Sequence, residues 1–191
     1  MTQQPKSPGL EGAAAAARIA RDDQAPGRGL PPVHLWNPSH CGEIDILIRA
    51  DGVWLHEGAP IARPELVQLF STILRKDPDG YHLVTPAEKL RIAVEDLPFR
   101  AVGVREEDGD LIFTTDRGDE IRAGPEHPVV VETDPGTEEP APRVHVRGEL
   151  WARIVRAVFY DLADRAEVID GRLSVRSGGQ VFPLGPKGTA P

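Results

Sequence analysis

Three side chains near the carboxyl end of the chain have the chemistry to hold an anion. If residues 149–165 form one helix, Arg153, Arg156 and Tyr160 share a stripe about 60° wide along it. Two guanidiniums and a phenol on one rigid face suit the paired hydrogen bonds that phosphates and carboxylates accept. Asp164 falls on the same stripe, so a solvated helix face with internal ion pairs is the alternative.

A second group of candidate anion ligands lies in the first half of the chain. Residues 85–88, Thr-Pro-Ala-Glu, have the form of a helix capping box and predict one helical turn before a strand. Free amides at such a turn bind anions, and Lys89 stands beside them. Glu88 would occupy the same amides and repel a phosphate, so a structural role for Thr85 is the alternative. Trp36, between prolines, is a candidate stacking or lid residue.

The histidines and the single cysteine do not have the spacing of a metal site. His34, His40, Cys41 and His56 lie in one region, but zinc ligands usually occur in pairs about two to five residues apart. His34 and His40 are farther apart than this, and no second pair follows. We therefore expect no metal and no cofactor.

An enzyme would need a base, for which the candidates are Asp45, Glu88, Glu95 and His127. Glu95 and Asp96 are neighbours on a predicted strand and point to opposite faces, so they do not predict a carboxylate pair. The sequence contains no nucleophile elbow, no phosphate-binding glycine loop and no dinucleotide fingerprint. We therefore expect no catalytic residue and keep a carboxylate-dependent enzyme as an alternative.

Composition excludes several classes of function. The 191 residues include 30 acidic and 22 basic side chains, for a formal charge of -8, whereas a protein that binds duplex nucleic acid needs clustered positive charge. Apolar residues make up 40% of the chain, without any run near the ~20 residues of a membrane span. One cysteine excludes an internal disulfide and is typical of a reducing compartment. We expect a cytoplasmic protein that binds neither nucleic acid duplexes nor membranes.

The elements that would position these residues follow a mixed α and β pattern. Isoleucines at alternate positions of residues 44–48 predict a strand, and Asp51-Gly52 predicts a hairpin turn. A helix with one apolar face is predicted from Pro64 up to the turn at residues 77–80. The other strands of this half are predicted at residues 53–55, 81–84 and 90–94.

The second half of the chain repeats this plan. The helix of residues 149–165 is followed by a hairpin at Asp170-Gly171, and its start, Arg-Gly-Glu-Leu at 147–150, is similar to Arg-Pro-Glu-Leu at 63–66. Both halves therefore have the order hairpin, helix, Asp-Gly hairpin. We predict an α+β fold of two similar halves, each mainly antiparallel strands packed on one helix. Strands before and after the second helix are predicted at residues 100–105, 110–115, 119–122, 128–132, 143–147, 172–176 and 180–184.

The boundaries of the folded part follow from composition. Residues 1–30 have few large apolar side chains and predict a flexible tail, in which the alanines of residues 13–17 would form at most a marginal helix. The two halves are predicted at residues 31–97 and 98–185, and residues 186–191 are expected to be frayed.

The order of several short motifs resembles a known family. It is the bacterial family catalogued as domain of unknown function 1285, and the resemblance spans most of the chain between the two tails. The sequence departs from the family pattern at Arg143, where an aromatic residue is expected. The motifs are PVHLWNP at 32–38, LVTPAEK at 83–89, VEDLPF at 94–99, HP at 127–128, VRG at 146–148 and VFYDL at 158–162.

Membership implies a duplicated α+β core whose C-terminal half is superficially similar to pleckstrin-homology folds, a nucleotide-like ligand between the halves, and a role in signalling. We therefore expect a non-catalytic module that senses or relays a small anionic, nucleotide-type ligand. A protein-interaction adaptor that uses unpaired strand edges is the main alternative. The residues expected to bind the ligand are Trp36, Thr85, Lys89, Arg153, Arg156 and Tyr160.

Overall fold

The computed structural model describes residues 9–22, 29–134 and 136–185. The chain divides into two compact units, Met1–Asp96 and Leu97–Pro191. The frayed end expected at residues 186–191 lies outside the described residues, as do residues 1–8 and 23–28 of the expected flexible tail.

Part of the expected tail is a helix, α1 (Leu10–Asp22). Its alanines recur at helical spacing, and they are buried against α2 (Pro64–Thr72) of the same unit. Arg63 pairs with Glu11 at the start of α1. Alanine adds little to a hydropathy pattern, but a stripe of small side chains lets two helices approach closely. The buried alanines are Ala13, Ala14, Ala17 and Ala20.

The first unit contains one six-stranded sheet, with a short 3₁₀ turn at Val33–Leu35 before it. The strand order is β3-β2-β1-β6-β5-β4; β1 and β6 run parallel and every other pair is antiparallel. The predicted hairpin at Asp51-Gly52 is confirmed, because Ile48 lies opposite Trp54. The strands are β1 (His40–Ile48), β2 (Trp54–His56), β3 (Ala59–Pro60), β4 (Leu74–Asp77), β5 (Gly80–Val84) and β6 (Glu88–Val94).

The predicted helix of this unit begins at Pro64 as expected but ends at Thr72. The prediction that it continues to the turn at residue 77 is wrong, because Leu74 joins β4 opposite Leu83. Leu74 is buried in β4 and would also lie on the apolar face of a longer helix, so its hydrophobicity could not distinguish a third helical turn from an edge strand. The apolar face of α2 and the isoleucines of β1 are buried in this unit.

The second unit also contains a six-stranded sheet, in the order β10-β11-β12-β7-β8-β9. Its parallel pair is β7 and β12, and the other pairs are antiparallel. The strands are β7 (Phe99–Glu107), β8 (Asp110–Thr115), β9 (Glu120–Arg122), β10 (Val129–Thr133), β11 (Pro140–Arg147) and β12 (Leu150–Ile154).

The two halves are similar, and the similarity lies in the topology of the sheets. In each, three consecutive strands form one meander and the next three form another, and the first and sixth strands join them as the parallel pair. The helices do not follow the repeat. In the first unit α2 stands between the two meanders, whereas in the second unit α3 (Arg156–Asp164) follows both.

The helix predicted at residues 149–165 is wrong in its first part. Leu150–Ile154 is strand β12, with Leu150, Ala152 and Ile154 buried and the residues between them half-buried. Gly148 adopts a left-handed φ of 50° in the tight turn that joins β11 to β12. The strand is favoured because its backbone groups pair with β11 on one side and β7 on the other.

A three-stranded sheet completes the second unit: β13 (Glu167–Ile169), β14 (Arg172–Ser177) and β15 (Gln180–Pro183). The predicted hairpin at Asp170-Gly171 is confirmed by the pairing of Ile169 with Arg172. Helix α3 packs against β7 and β14. Among the described residues, no helix has the length and apolar content to cross a membrane. The superficial similarity of this half to pleckstrin-homology folds stays a prediction.

Candidate functional site

The tertiary structure separates Arg153 from the other two residues of the predicted anion stripe. Arg153 lies on β12, whereas Arg156 and Tyr160 lie one turn apart on α3. The stripe on one helix is therefore wrong as a geometry. Because β12 pairs with β11 and β7, the neighbours of Arg153 are residues of these strands and not Arg156 and Tyr160. These neighbours determine what Arg153 can bind.

Arg153 is the middle residue of three arginines aligned across adjacent strands. It lies opposite Arg143 on β11 and beside Arg100 on β7. Residues in register on neighbouring strands project from the same face, and this face lies opposite the one that buries Ala152 and Phe99. We call Arg100, Arg153 and Arg143 the arginine row.

Each arginine of the row has contacts within the second unit. Nη1 of Arg153 donates to the carbonyl of Pro142 at 3.3 Å, and Nη2 of Arg143 donates to Glu132 at 2.7 Å. These contacts position the side chains of Arg153 and Arg143, and the main-chain amide of Arg100 donates to Asp116 at 3.1 Å. Like charges in register on a sheet repel each other, so an anion shared among them would relieve that repulsion.

Aromatic rings lie next to the arginine row. His145 on β11 and Trp151 on β12 occupy the next register position on the same face of the sheet, with ring centroids 5.1 Å apart. The guanidinium of Arg143 lies 4.9 Å from the centroid of Trp151, and His127 stacks on His145 at 5.5 Å. Nδ1 and Nε2 of His145 lie 2.8 Å and 2.7 Å from main-chain carbonyl oxygens, which fix its ring.

Arg156 and Tyr160 interact with each other on the exposed surface of α3. Nε of Arg156 donates to the Tyr160 hydroxyl at 2.9 Å, and the guanidinium lies 5.7 Å from the ring centroid. The hydrogen bond and charge of Tyr160, with Glu139, raise the pKa of Arg156. Arg153 in turn contributes to a lowered pKa of Asp134, behind the larger effect of amide donors at residues 136 and 137. The loop between β10 and β11 therefore places a carboxylate near each arginine, Asp134 near Arg153 and Glu139 near Arg156.

Arg147 belongs to the structure of the second unit rather than to its surface. Its guanidinium lies 5.0 Å from the ring centroid of Phe99, and Nη1 lies 3.8 Å from Oδ1 of Asp119. Burial lowers the pKa of Arg147, and the nearby Asp119 charge opposes this effect. This half-buried ion pair lies at the end of β11, beside the arginine row.

In the first unit, Trp36 and Lys89 both belong to a hydrogen-bond network centred on Arg75 and Asp77. Nη1 of Arg75 donates to the carbonyl of Trp36 at 2.7 Å. The same guanidinium holds both carboxylate oxygens of Asp77, at 2.8 Å and 2.9 Å, and Nζ of Lys89 donates to Asp77 at 3.1 Å. Trp36 thus contributes its backbone here, and the ammonium of Lys89 is engaged by a carboxylate.

Thr85 has a structural role in the first unit. The helical turn predicted at residues 85–88 is wrong: these residues form the turn between β5 and β6. The buried Thr85 hydroxyl accepts from the amides of Ala87 and Glu88, at 3.3 Å and 3.1 Å. The hydroxyl therefore occupies the amides that the capping box would have offered to an anion.

The residues that an enzyme would use as a base are dispersed. Asp45 is exposed and lines a cavity of about 850 Å³ in the first unit. Glu95 accepts from the amide of Ala50 at 2.8 Å, Glu88 is the first residue of β6, and Nδ1 of His127 lies 3.2 Å from the carbonyl of His145. The first three belong to one unit and His127 to the other.

One group of metal-type ligands does converge among the described residues, away from the region weighed in the sequence. Asp77, Asp79 and His82 bring ligand atoms within 4.8 Å of one another on the β4–β5 hairpin. His82 is 2% exposed, and its Nδ1 has no hydrogen-bond partner within the described part of the chain. We call these three residues the hairpin cluster.

The electrostatics of the hairpin cluster are set by burial and by two cations. Desolvation lowers the pKa of His82, an effect that the Asp79 charge opposes and the Lys89 charge reinforces. Burial alone would raise the pKa of Asp77, but the hydrogen bonds and charges of Arg75 and Lys89 outweigh it and lower that pKa. At neutral pH the cluster therefore holds an ionised Asp77 and a neutral imidazole.

Sequence reasoning missed Arg100, Arg143 and the hairpin cluster. Arg100 lies far from Arg153 in the chain, and strand register brings them together. Arg143 is close in sequence, but it becomes the partner of Arg153 only because residues 150–154 are a strand and not the expected helix. The cluster is local, however. Its spacing Asp-x-Asp-x-x-His at residues 77–82 could have been found by searching for ligands across a predicted hairpin turn.

Comparison with known proteins identifies relatives along most of the chain. A family model described as the N-terminal domain of DUF1285, a domain of unknown function, matches residues 31–97, and one described as the DUF1285 C-terminal domain matches residues 98–184. No curated protein matches the chain.

Two crystal structures of DUF1285 family proteins are similar to the chain. The protein from Silicibacter pomeroyi DSS-3 is 45% identical with a TM-score of 0.81, and the match covers 94% of this chain and 96% of that one. The protein from Shewanella baltica OS155 is 27% identical with a TM-score of 0.50, over 62% of this chain and 90% of that one.

Proposed function

The chain belongs to the DUF1285 family, and on that premise we propose that it is a non-catalytic module that binds a small anionic ligand of the nucleotide type. The observation that carries the proposal is the arginine row, Arg100, Arg153 and Arg143 in register on three adjacent strands. Guanidiniums are the groups best suited to grip a phosphate through paired hydrogen bonds.

The chemistry of the row supports binding rather than catalysis. Arginine stays protonated in proteins, so it supplies charge and hydrogen bonds and transfers no proton. The half-buried position of all three side chains strengthens their attraction for an anion relative to fully solvated arginines. Glu132 neutralises part of this charge and would compete with the ligand for Arg143.

The nucleotide part of the proposal rests on the rings beside the row. Trp151 and His145 lie at the next register position on the same face of the sheet, where the base of a nucleotide would lie when its phosphate contacts Arg153. The base would share these rings with Arg143, which lies over Trp151, and with His127, which stacks on His145. Arg156 and Tyr160 stay candidate ligands because they form a hydrogen-bonded pair on the exposed surface of α3, which begins three residues after Arg153.

Isothermal titration calorimetry with inorganic phosphate, AMP, ATP and GTP tests the proposal. We expect binding of at least one nucleotide, with Arg153→Gln weakening it about tenfold or more, the cost of a hydrogen bond to a charged group. Arg105→Gln is the matched control, because Arg105 lies on β7, the strand of Arg100, and pairs with Glu120 and Glu107 instead. Absence of heat from all four probes, or equal affinity in Arg153→Gln, overturns the proposal in favour of a protein-interaction adaptor.

A further inference from the structure

We propose that the hairpin cluster, Asp77, Asp79 and His82, is a site for a divalent cation of the zinc class. The site lies in the first unit, so it is independent of the anion site proposed on the second sheet. Its three side chains come from one hairpin: Asp77 ends β4, Asp79 lies in the turn, and His82 lies on β5. An imidazole and two carboxylates are a donor set that suits zinc and similar divalent metals.

The buried imidazole is the observation that separates this cluster from ordinary surface acids. His82 is 2% exposed, and its Nδ1 faces Oδ2 of Asp77 at 3.8 Å without any hydrogen-bond partner in the described part of the chain. Leaving a buried polar atom unpaired destabilises the fold. A metal ion bound to Nδ1 would satisfy that atom.

The distances in the cluster fit an ion with small adjustments. Zinc binds nitrogen and oxygen at about 2.0–2.2 Å, so two ligands of one ion lie roughly 3–3.5 Å apart. Nδ1 of His82 and Oδ2 of Asp77 are slightly farther apart, at 3.8 Å. Asp79 is exposed in the turn, and its Oδ2 lies 3.4 Å from Nε2, the other ring nitrogen of His82. Its carboxylate would therefore have to rotate toward Nδ1 to reach an ion bound there.

The ammonium of Lys89 occupies the position at Asp77 that the metal ion would take. A carboxylate offers about four lone-pair sites; Arg75 takes one on each oxygen of Asp77, and Nζ of Lys89 takes another on Oδ2, at 3.1 Å. A metal ion would replace the ammonium there. Lys89 also lines a cavity of about 280 Å³ beside Asp79 and His82, which gives the displaced side chain and the metal's water ligands room.

Because Lys89 and the metal ion compete for Asp77, removing Lys89 should strengthen zinc binding, whereas removing a ligand should weaken it. Titration of ZnCl₂ into the full chain, followed by calorimetry and by thermal unfolding, should show one binding event that raises Tm. We expect Lys89→Met to tighten binding about tenfold or more, because it removes a positive charge within contact distance of the ion. We expect Asp79→Asn and His82→Ala to weaken binding by a similar factor. Asp79→Asn changes an exposed turn residue, so it remains informative if His82→Ala fails to fold.

His34→Ala is the matched control, since His34 is an exposed histidine of the same unit and lies outside the cluster. Its zinc affinity should equal that of the wild-type chain. Absence of zinc binding in the wild type, or binding that Asp79→Asn and Lys89→Met leave unchanged, overturns the proposal.

Discussion

The guanidinium of Arg143 lies over the indole of Trp151, 4.9 Å from the ring centroid. The family pattern led us to expect an aromatic residue at position 143, whose stacking contact the arginine would lose. The arginine instead makes a stacking contact of its own, while its Nη2 donates to Glu132 at 2.7 Å. The position therefore keeps a planar group against Trp151 and gains a positive charge.

Replacing this arginine should lower stability. We expect Arg143→Ala to reduce the free energy of unfolding by about 1–2 kcal/mol, because it removes a partly desolvated cation–π contact and an ion pair. Urea denaturation followed by tryptophan fluorescence measures the change. Arg143→Lys should recover less than half of the loss, since an ammonium cannot stack as a plane. Equal stability of Arg143→Ala and the wild type would contradict the prediction.

Helix α1 should depend on its buried alanines. Ala17 is fully buried against the first unit, whereas Ala15 on the same helix is exposed. We expect Ala17→Glu to destabilise the unit by about 2–3 kcal/mol, because a carboxylate cannot be desolvated there without a partner. The cost is limited by undocking of the helix. Ala15→Glu is the control and should unfold at the same denaturant concentration as the wild type. If both variants lose stability equally, the cause is helix propensity and not the packing of Ala17.

The turn between β14 and β15 should tolerate no side chain at Gly178. A Cβ built on Gly178 would lie 2.7 Å from Cα of Gly124 and 2.8 Å from the carbonyl of Ala123, and its φ is 55°. We expect Gly178→Ala to cost about 2–4 kcal/mol in thermal unfolding. Gly179→Ala has a similar φ of 70° but open space around it, so it should cost only about 1–2 kcal/mol. A larger loss in Gly179→Ala than in Gly178→Ala would refute the close contact.

Asp110 should make the second unit sensitive to acid. Its Oδ1 accepts from the amide of Gly178 at 2.6 Å and its Oδ2 from Arg122 at 2.8 Å. These interactions, the amide of Gly178 first, lower the pKa of Asp110 below its ordinary 3.8. A lowered folded-state pKa contributes stability that is present above pH 3.8 and is lost as the pH falls through the folded value.

Unfolding free energies measured from pH 7 to pH 2 check this expectation. Asp110→Asn should be less stable than the wild type at pH 7, and the two curves should converge below pH 3.8. If the two stability curves stay parallel over the whole pH range, the ionisation of Asp110 does not contribute to the pH dependence of stability, and the prediction is wrong.

Much of the fold follows from local signals. Alternating isoleucines in β1, the Asp-Gly turns at residues 51–52 and 170–171, and the proline that starts α2 all predict elements that the structure contains. These signals act within a few residues, because side-chain alternation, left-handed turn residues and a fixed proline φ constrain their own segment of chain.

The errors fall where one apolar pattern suits two structures. Leu74 and the alternate residues Leu150, Ala152 and Ile154 are buried in strands. The apolar side chains of these segments would also extend an apolar helix face. Whether each segment forms helix or strand depends on whether neighbouring strands offer hydrogen-bond partners for its backbone. Those strands lie elsewhere in the chain, so the segment's own sequence does not contain this information. The sequence pattern does not predict a docked α1 for the same reason. Its alanine stripe stabilises the helix only when a second helix packs against it.

From the sequence alone came the α+β class, the duplicated halves and Arg153 as a candidate anion ligand. The tertiary structure alone decided that the repeat lies in the sheets, and that Arg100 and Arg143 are the neighbours of Arg153. It also buried His82 beside Asp77. The physical reason is that strand register joins residues tens of positions apart through backbone hydrogen bonds, which are the same for every side chain and so leave no mark in the sequence.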